Sequence, residues 1–317
     1  MEDFSLKNWI PYGLKNQDGM LLCNWLNTGQ EPFVKPFFDE TISQIKSKRR
    51  VGSFTSSSSL SMMEDWSGNI TGISPGALIF HTSRCGSTLI AQLLATANQH
   101  IVLPEVPFFD DLLRLPYRGQ SFGNEEILNL LRAAISYYGQ VRTGQEQRLF
   151  IKTDSWHMLF FDQLRALYPT VPFVLMYRHP AEIFRSLKKV PGLQSVPGLI
   201  EPAVFGFNPD EMYDLDTYIG MVLAKYFQQY LNIIAQDDNC LMVNYNEGPM
   251  PLINKIAAFT NTPLSSTDLA AMTARSQYHS KRPTEVFVES ITGDVPACLE
   301  KAMELYLQVE EKRFATA

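Results

Sequence analysis

The chain has 317 residues, 45% of them hydrophobic, so it is long enough to bury the core of one large domain or of one domain with an appendage. Its formal net charge of −6 disfavours general nucleic-acid binding, because that function requires a basic surplus. No apolar run approaches the roughly 20 residues of a membrane span, the N-terminus lacks the form of a signal peptide, and the cysteines lack metal or redox spacing. These features predict a cytoplasmic protein with reduced thiols, no membrane span and no nucleic-acid partner.

Residues 1–75 begin with an aromatic lead-in that is punctuated by prolines. They are predicted to form an N-terminal aromatic-rich extension or cap, packed on a main domain of residues 76–317. A helix is predicted from Phe38 to Lys48, and the serine run Ser56–Ser59 predicts a flexible loop. The aromatic side chains of this segment are interpreted as core, with the lining of a ligand pocket as the alternative.

From Gly76 onwards, short apolar runs alternate with helical patterns. This alternation predicts an α/β fold, in which helices flank both faces of a parallel sheet. Strands are predicted near residues 77–81, 101–103, 149–152, 172–177 and 240–245. Helices are predicted near residues 87–97, 124–139, 156–168, 180–188, 211–236, 250–259, 266–275 and 295–313.

The first strand of this pattern leads into a turn of small polar residues and then into a helix. A turn at a helix N-terminus leaves several backbone N–H groups pointing at one spot, which is suited to binding an anion. The sequence therefore predicts a phosphate loop in the P-loop position, formed by Ser83, Arg84, Cys85, Gly86, Ser87 and Thr88.

This loop differs from the nucleoside-triphosphate version, which requires G-x-x-x-x-G-K-[ST]. His81 stands where the first glycine belongs, and Ser87 stands where the lysine belongs. The cation is instead Arg84, two residues before Gly86. The departure disfavours a P-loop kinase, which is kept as an alternative.

A second cationic site is predicted after the strand near residues 172–177. Arg178 ends the strand, Pro180 fits the first turn of the next helix, and Ser186 lies about two turns further along. An arginine at a strand end and a hydroxyl on the following helix can hold one phosphate between them.

The S-R-x-G-S-T-L loop and the R-x-P-x-x-x-x-x-S segment together resemble the sulfotransferase family, over roughly residues 77–300. The loop has the form of the bacterial and Golgi-type branches. The resemblance implies that the loop binds the 5′-phosphosulfate of 3′-phosphoadenosine 5′-phosphosulfate (PAPS), and that Arg178 and Ser186 hold its 3′-phosphate. It implies a sulfuryl transfer that needs no metal.

A third strand ends in Lys152-Thr153-Asp154, which resembles the K-T-H segment of the family. The resemblance implies that Lys152 contacts the sulfuryl group, but Asp154 replaces the histidine base. Glu105 follows the loop helix and the next strand, as the base does in tyrosylprotein and several bacterial sulfotransferases. Partial dehydration is expected to raise its pKa and suit it to this role. Asp154 and His157 remain the alternatives.

Three further segments carry expectations about the site and its surroundings. The Pro- and Gly-rich stretch between Lys189 and Asp210 resembles a family loop that shapes the substrate entrance. Asp110 and Asp111 are interpreted as a helix N-terminal feature. Lys281 and Arg282 resemble a degraded form of the segment that closes over the 3′-phosphate.

The sequence therefore predicts a PAPS-dependent sulfotransferase that acts on a hydroxyl or amine of a small-molecule acceptor. Glu105 is its expected base, and Arg84, Lys152 and the loop amides are expected to stabilise the transferring group. The alternatives are a P-loop kinase and a non-catalytic nucleotide-binding protein of the same fold.

Overall fold

The computed structural model describes residues 5–48, 56–278 and 295–315. The strands are β1 (Trp9–Gln17), β2 (Met20–Asn27), β3 (Ser56–Ser59), β4 (Pro75–His81), β5 (His100–Pro104), β6 (Arg148–Lys152), β7 (Phe173–Tyr177) and β8 (Cys240–Asn244). The helices are α1 (Phe38–Ser47), α2 (Leu60–Ser67), α3 (Ser87–Leu94), α4 (Pro107–Arg114), α5 (Asn124–Tyr138), α6 (Phe161–Leu167), α7 (Pro180–Lys189), α8 (Pro202–Phe205), α9 (Leu215–Gln236), α10 (Pro249–Phe259), α11 (Ser266–Ser276) and α12 (Glu300–Ala315). Short 3₁₀ turns cover Leu115–Arg118, Ser155–Phe160, Leu193–Ser195, Tyr245–Glu247 and Ala297–Leu299.

The last five strands form a parallel sheet in the order β5-β6-β4-β7-β8. The chain therefore starts this sheet at its centre, adds two strands on one side and then two on the other. All five strands present their carboxyl ends at the same edge, which is where ligands bind in open α/β sheets. The predicted α/β class with a parallel sheet is confirmed, and so are all five predicted strands.

Side chains alternate between the two faces of this sheet, and each face carries its own core. On β4, Leu78 and Phe80 join the core formed with α4, α5, α6, α9 and α12. Ala77 and Ile79 join the smaller core formed with α3, α10 and α11. Because both faces are covered, the interiors of the strands are apolar, as the continuous hydrophobic runs in the sequence indicated.

The N-terminal residues form a second, antiparallel sheet in the order β1-β2-β3, which the sequence did not predict. Its apolar side chains, including Ile10 and Trp25, belong to the same core as one face of the parallel sheet, and so does Phe38 of α1. Most of the aromatic residues in this segment are core, as interpreted. The predicted helix over 38–48 is α1.

The expectation of a flexible loop at Ser56–Ser59 is wrong, because these serines form β3 and pair with β2. The indole Nε1 of Trp25 donates a hydrogen bond to Ser58 Oγ at 2.9 Å, so a buried hydroxyl is satisfied within the sheet. The serine composition suggested a loop, but these residues form a strand because β2 provides the backbone hydrogen-bonding partner.

In the three described ranges, no helix is both long enough and apolar enough to cross a membrane.

Candidate active site

A cavity of about 490 Å³ opens at the carboxyl edge of the parallel sheet, where β4, β6 and β7 end. It is lined by Phe37, His81, Ser83, Arg84, Gly86, Ser87, Thr88, Leu89, Glu105, Asp154, Ser155, Trp156, Arg178, Ser186, Gly192, Leu193, Gln194, Tyr245, Pro249, Ser276, Gln277 and Tyr278. Most of the predicted site residues therefore face one space, although they come from distant parts of the sequence.

The predicted phosphate loop is the connection between β4 and α3. Ser83 and Arg84 have positive φ angles of 63° and 46°, and Gly86 has φ 76°. Two adjacent non-glycine residues in the left-handed region are costly and persist only where the surroundings hold them. Their conformation turns the chain sharply before the N-terminus of α3, where the backbone N–H groups are available to an anion.

Tyr245 explains why residue 86 is glycine. A Cβ atom added at Gly86 would lie 2.0 Å from Cε2 of Tyr245, in addition to the strain of its positive φ. The tyrosine ring also lies beneath Arg178, whose guanidinium carbon is 5.2 Å from the ring centroid. Tyr245 therefore packs against both the phosphate loop and the second cationic site.

We expect Gly86→Ala to destabilise the protein by about 1–3 kcal/mol, because the alanine must adopt a strained φ and displace Tyr245. Gly13→Ala is the matched control, since a Cβ added there meets nothing within 4 Å. Chemical denaturation of both variants measures the difference. Wild-type stability in Gly86→Ala would contradict the close packing described here.

Of the predicted loop residues, Arg84 lines the cavity and Cys85 does not. Cys85 does not line it: its side chain is fully buried, its thiol contacts Met176 O at 3.6 Å, and burial raises the thiol pKa. Arg84 lines the cavity, and its Nη2 donates to Val190 O at 2.7 Å. The guanidinium of Arg84 is thus oriented by the segment that follows α7.

The Pro- and Gly-rich stretch after α7 forms one wall of the cavity through Gly192, Leu193 and Gln194. Gln194 Nε2 donates a hydrogen bond to Ser83 Oγ at 2.7 Å, and Gln194 is buried. Ser83 therefore uses its hydroxyl within the protein. This stretch contacts the phosphate loop directly, in line with the expectation that it shapes the entrance.

Arg178 and Ser186 both line the cavity, at the end of β7 and on α7 respectively. Arg178 is buried, and its Nε donates to Glu182 Oε2 at 3.1 Å. Glu182 lies one helical turn before Ser186, so the helix that carries the hydroxyl also orients the guanidinium.

Glu105 adopts a positive φ of 50° just after β5, and its backbone N–H donates to Lys152 O at 2.7 Å. Its carboxylate forms an ion pair with the fully buried Nζ of Lys152, and His81 Nε2 lies 3.3 Å from Oε1. His81 Nδ1 accepts a hydrogen bond from Ser83 N at 3.1 Å, so Nε2 carries the proton, which it donates to Thr153 O at 2.9 Å, with Glu105 Oε1 as the more distant second acceptor. His81 connects the phosphate loop to Glu105.

The expected rise in the pKa of Glu105 is wrong. Burial raises its pKa, but the Lys152 ammonium and the hydrogen bond from His81 outweigh burial and bring the pKa well below its usual range. Burial lowers the pKa of His81, and the charge of Lys152 lowers it further, which keeps the imidazole neutral. The sequence indicated dehydration around Glu105 but not the buried lysine beside it.

The pKa of Asp154 is shifted in the opposite direction to that of Glu105. Asp154 lines the cavity, and burial raises its pKa well above the ordinary value, with the carboxylates of Glu105 and Asp110 raising it further. His157 Nε2 is 3.7 Å from Asp154 Oδ2, beyond hydrogen-bonding distance, and 3.0 Å from Asp110 Oδ1. His157 is buried and does not line this cavity.

Asp110 is more than a helix N-terminal feature, because it is the centre of a buried network. Its carboxylate accepts from Arg114 Nη1 at 2.7 Å, from Trp156 Nε1 at 2.6 Å and from His157. Arg114 also pairs with Glu201 at 2.6 Å. The network fixes Trp156 against the cavity.

In the described ranges, one trio has the spacing of a metal site: ligand atoms of Asp110, Asp154 and His157 lie within 4.8 Å of one another. Arg114 and Trp156 already donate to Asp110, which disfavours a cation there. Lys281 and Arg282 lie outside the described residues.

Several residues of the cavity were not predicted from the sequence as contributors to the site, among them His81, Tyr245 and Trp156. In the sequence, His81 is notable only because it stands where a nucleoside-triphosphate loop has its first glycine. Tyr245 is notable only as part of a segment that was interpreted as structural. The alternative that the N-terminal segment lines a pocket holds for Phe37. No local pattern distinguishes these residues, because their neighbours in space are remote in sequence.

The sequence matches the family model described as "Sulfotransferase family" over residues 75–265, which is more than half of the chain. No curated protein matches the sequence at a significant level. The fold resembles a sulfotransferase domain from the curacin biosynthetic pathway, with 16% identity, a TM-score of 0.50, and coverage of 75% of this chain and 98% of that one. This likeness supports the fold alone.

Two other solved structures share a weaker likeness. One is the sulfotransferase domain of the Synechococcus PCC 7002 olefin synthase, with 16% identity, a TM-score of 0.49, and coverage of 76% of this chain and 96% of that one. The other is the sulfotransferase STF9 from Mycobacterium avium, with 13% identity, a TM-score of 0.47, and coverage of 80% of each chain.

Proposed function

The chain belongs to the sulfotransferase family, and from that premise we propose that it transfers a sulfuryl group from PAPS to a hydroxyl or amine of a small-molecule acceptor. The observation that carries the proposal is the shared cavity. A phosphate loop, a second cationic site at Arg178 and Ser186, and the carboxylate of Glu105 all line it.

The donor would lie along the carboxyl edge of the sheet. The backbone N–H groups at the start of α3, with Ser87 and Thr88, would bind the 5′-phosphosulfate. Arg178 and Ser186 would hold the 3′-phosphate, with Lys281 and Arg282 as further candidates. Tyr245 packs against both the phosphate loop and Arg178, so it would keep the distance between the two phosphate-binding sites constant.

In the transfer step, the acceptor oxygen or nitrogen attacks sulfur, and the bond between sulfur and the 5′-phosphate oxygen breaks. The electron pair goes to that phosphate oxygen, and the acceptor proton goes to a base. Sulfuryl transfer resembles phosphoryl transfer, in that negative charge grows on the leaving oxygen. Arg84, Lys152 and the loop amides would stabilise this charge.

Glu105 is the proposed base, and its ion pair with Lys152 gives it a specific requirement. While the Lys152 ammonium contacts the Glu105 carboxylate, the pKa of Glu105 is low and the carboxylate accepts protons poorly. An anionic donor beside Lys152 would draw the ammonium toward the phosphosulfate and so restore the basicity of Glu105. His81 would continue to orient the carboxylate.

We expect EDTA to leave the transfer rate nearly unchanged, because fixed cations and amides supply the charge stabilisation. The initial rate with and without the chelator, with Mg²⁺ added back, measures this. A rate that falls with EDTA and recovers with Mg²⁺ would instead support the kinase alternative or a metal at Asp110, Asp154 and His157.

The proposed function is tested by incubating the protein with PAPS carrying radioactive sulfur and a panel of hydroxyl and amine acceptors. We expect label in an acceptor and an equal amount of adenosine 3′,5′-bisphosphate. The parallel reaction contains ATP labelled on its terminal phosphate. Label transferred from ATP, with PAPS unconsumed, would overturn the proposal.

A further inference from the structure

Three carboxylates, those of Glu105, Asp110 and Asp154, lie close together beside the cavity, and within the described ranges Asp154 is the one that no lysine or arginine pairs with. Glu105 pairs with Lys152, and Asp110 pairs with Arg114. Among the residues that the structure describes, none is within hydrogen-bonding distance of the Asp154 carboxylate: His157 Nε2 is 3.7 Å away and bonds to Asp110 at 3.0 Å instead. The three carboxylates therefore outnumber the lysine and arginine paired with Glu105 and Asp110, and the imidazole of His157 also lies beside them.

A carboxylate in so dehydrated a place is costly to keep charged and unpaired. Its charge is balanced either by a proton or by a cation from outside the protein. Burial and the neighbouring carboxylates of Glu105 and Asp110 raise the pKa of Asp154, which favours the proton in the described structure. A cation in the cavity would displace that proton.

The surroundings of Asp154 are suited to an organic cation. The side chains of Phe37 and Trp156 line the same cavity, and aromatic faces attract ammonium groups. The Trp156 indole is held by its hydrogen bond to Asp110, so its position does not depend on a ligand. Among the described residues, the arginines that line the cavity, Arg84 and Arg178, belong to the part assigned to the phosphates of the donor.

We infer that the acceptor carries an ammonium group, which binds between Asp154 and the aromatic side chains while its hydroxyl or second amine faces Glu105. The inference rests on the proposed function, since it assigns the acceptor class of the same site. Asp154 is then the residue that selects amino alcohols, aminophenols or similar cationic acceptors over neutral ones.

The test uses isosteric pairs in which a positively charged nitrogen replaces a carbon. The pairs are choline with 3,3-dimethylbutan-1-ol, tyramine with 4-propylphenol, and 6-aminohexan-1-ol with heptan-1-ol. Binding is measured by calorimetry on the full chain saturated with adenosine 3′,5′-bisphosphate. We expect the cation of at least one pair to bind about tenfold more tightly than its neutral partner, as a charge-assisted contact provides.

Asp154→Asn should reduce that preference to near unity. Asp162→Asn is the matched control, because it changes the net charge equally on an exposed part of α6; there the preference should persist. The inference is overturned if no cation binds, if neutral members bind as tightly in every pair, or if Asp154→Asn keeps the preference. Failure to bind adenosine 3′,5′-bisphosphate would instead overturn the proposed function, and the inference with it.

Discussion

Glu105→Gln is expected to lower kcat by about 10²–10⁴, because the amide keeps the size of the side chain but cannot accept a proton. The affinity for PAPS should not fall, since the carboxylate is proposed to face the acceptor and its loss leaves Lys152 free to approach the donor. Initial rates at saturating PAPS, together with a calorimetric titration of the donor, separate the two effects. A kcat near that of the wild type would contradict the assignment of the base.

Two controls make this result specific. Glu105→Gln removes the charge that pairs with the buried Lys152, so the melting temperature must be recorded to exclude a folding defect. Asp154→Asn and His157→Gln replace the two alternative bases. If either of them abolishes turnover while Glu105→Gln retains it, the base lies on the segment after Lys152.

Arg178→Ala is expected to weaken PAPS binding by about 2 kcal/mol or more, which is roughly 30-fold, because a buried guanidinium makes charge-assisted contacts with phosphate. Calorimetry with adenosine 3′,5′-bisphosphate measures the loss without turnover. Unchanged affinity would contradict the placement of the 3′-phosphate at this site.

The same substitution deprives Glu182 of an ion pair, which would lower stability independently of the ligand. Glu182→Gln is therefore the matched control, since it removes the same ion pair and keeps the guanidinium. We expect a smaller loss of affinity in Glu182→Gln than in Arg178→Ala. Arg178→Lys should resemble Arg178→Ala more than wild type, because lysine cannot bind phosphate bidentately.

The parallel sheet was predictable because its strands are buried on both faces, which gives continuous apolar runs such as that of β7. The phosphate loop was predictable for a related reason: a strand, a turn of small residues and a helix come one after another in the sequence. Arg178 and Ser186 lie on one strand end and the helix after it. In each case, the residues that act together are close in the chain.

The N-terminal sheet was not predictable in the same way. The serines of β3 have no apolar alternation, and they form a strand only because β2 provides the hydrogen-bonding partner. The low pKa of Glu105 also depends on partners remote in sequence, His81 and Lys152, which the order of strands in the sheet brings together. Because the pKa of a carboxyl group depends on such neighbours in space, the prolines beside Glu105 in the sequence could not indicate its pKa.

The proposed function requires above all that the cavity bind a nucleotide through phosphates at both its 5′ and 3′ positions. The decisive experiment is a pair of calorimetric titrations of the wild-type protein, one with adenosine 3′,5′-bisphosphate and one with adenosine 5′-phosphate. We predict that the bisphosphate binds at least about 30-fold more tightly, and that Arg178→Ala removes most of this difference. Equal binding of the two nucleotides by the wild-type protein would show that no 3′-phosphate site exists at Arg178 and Ser186.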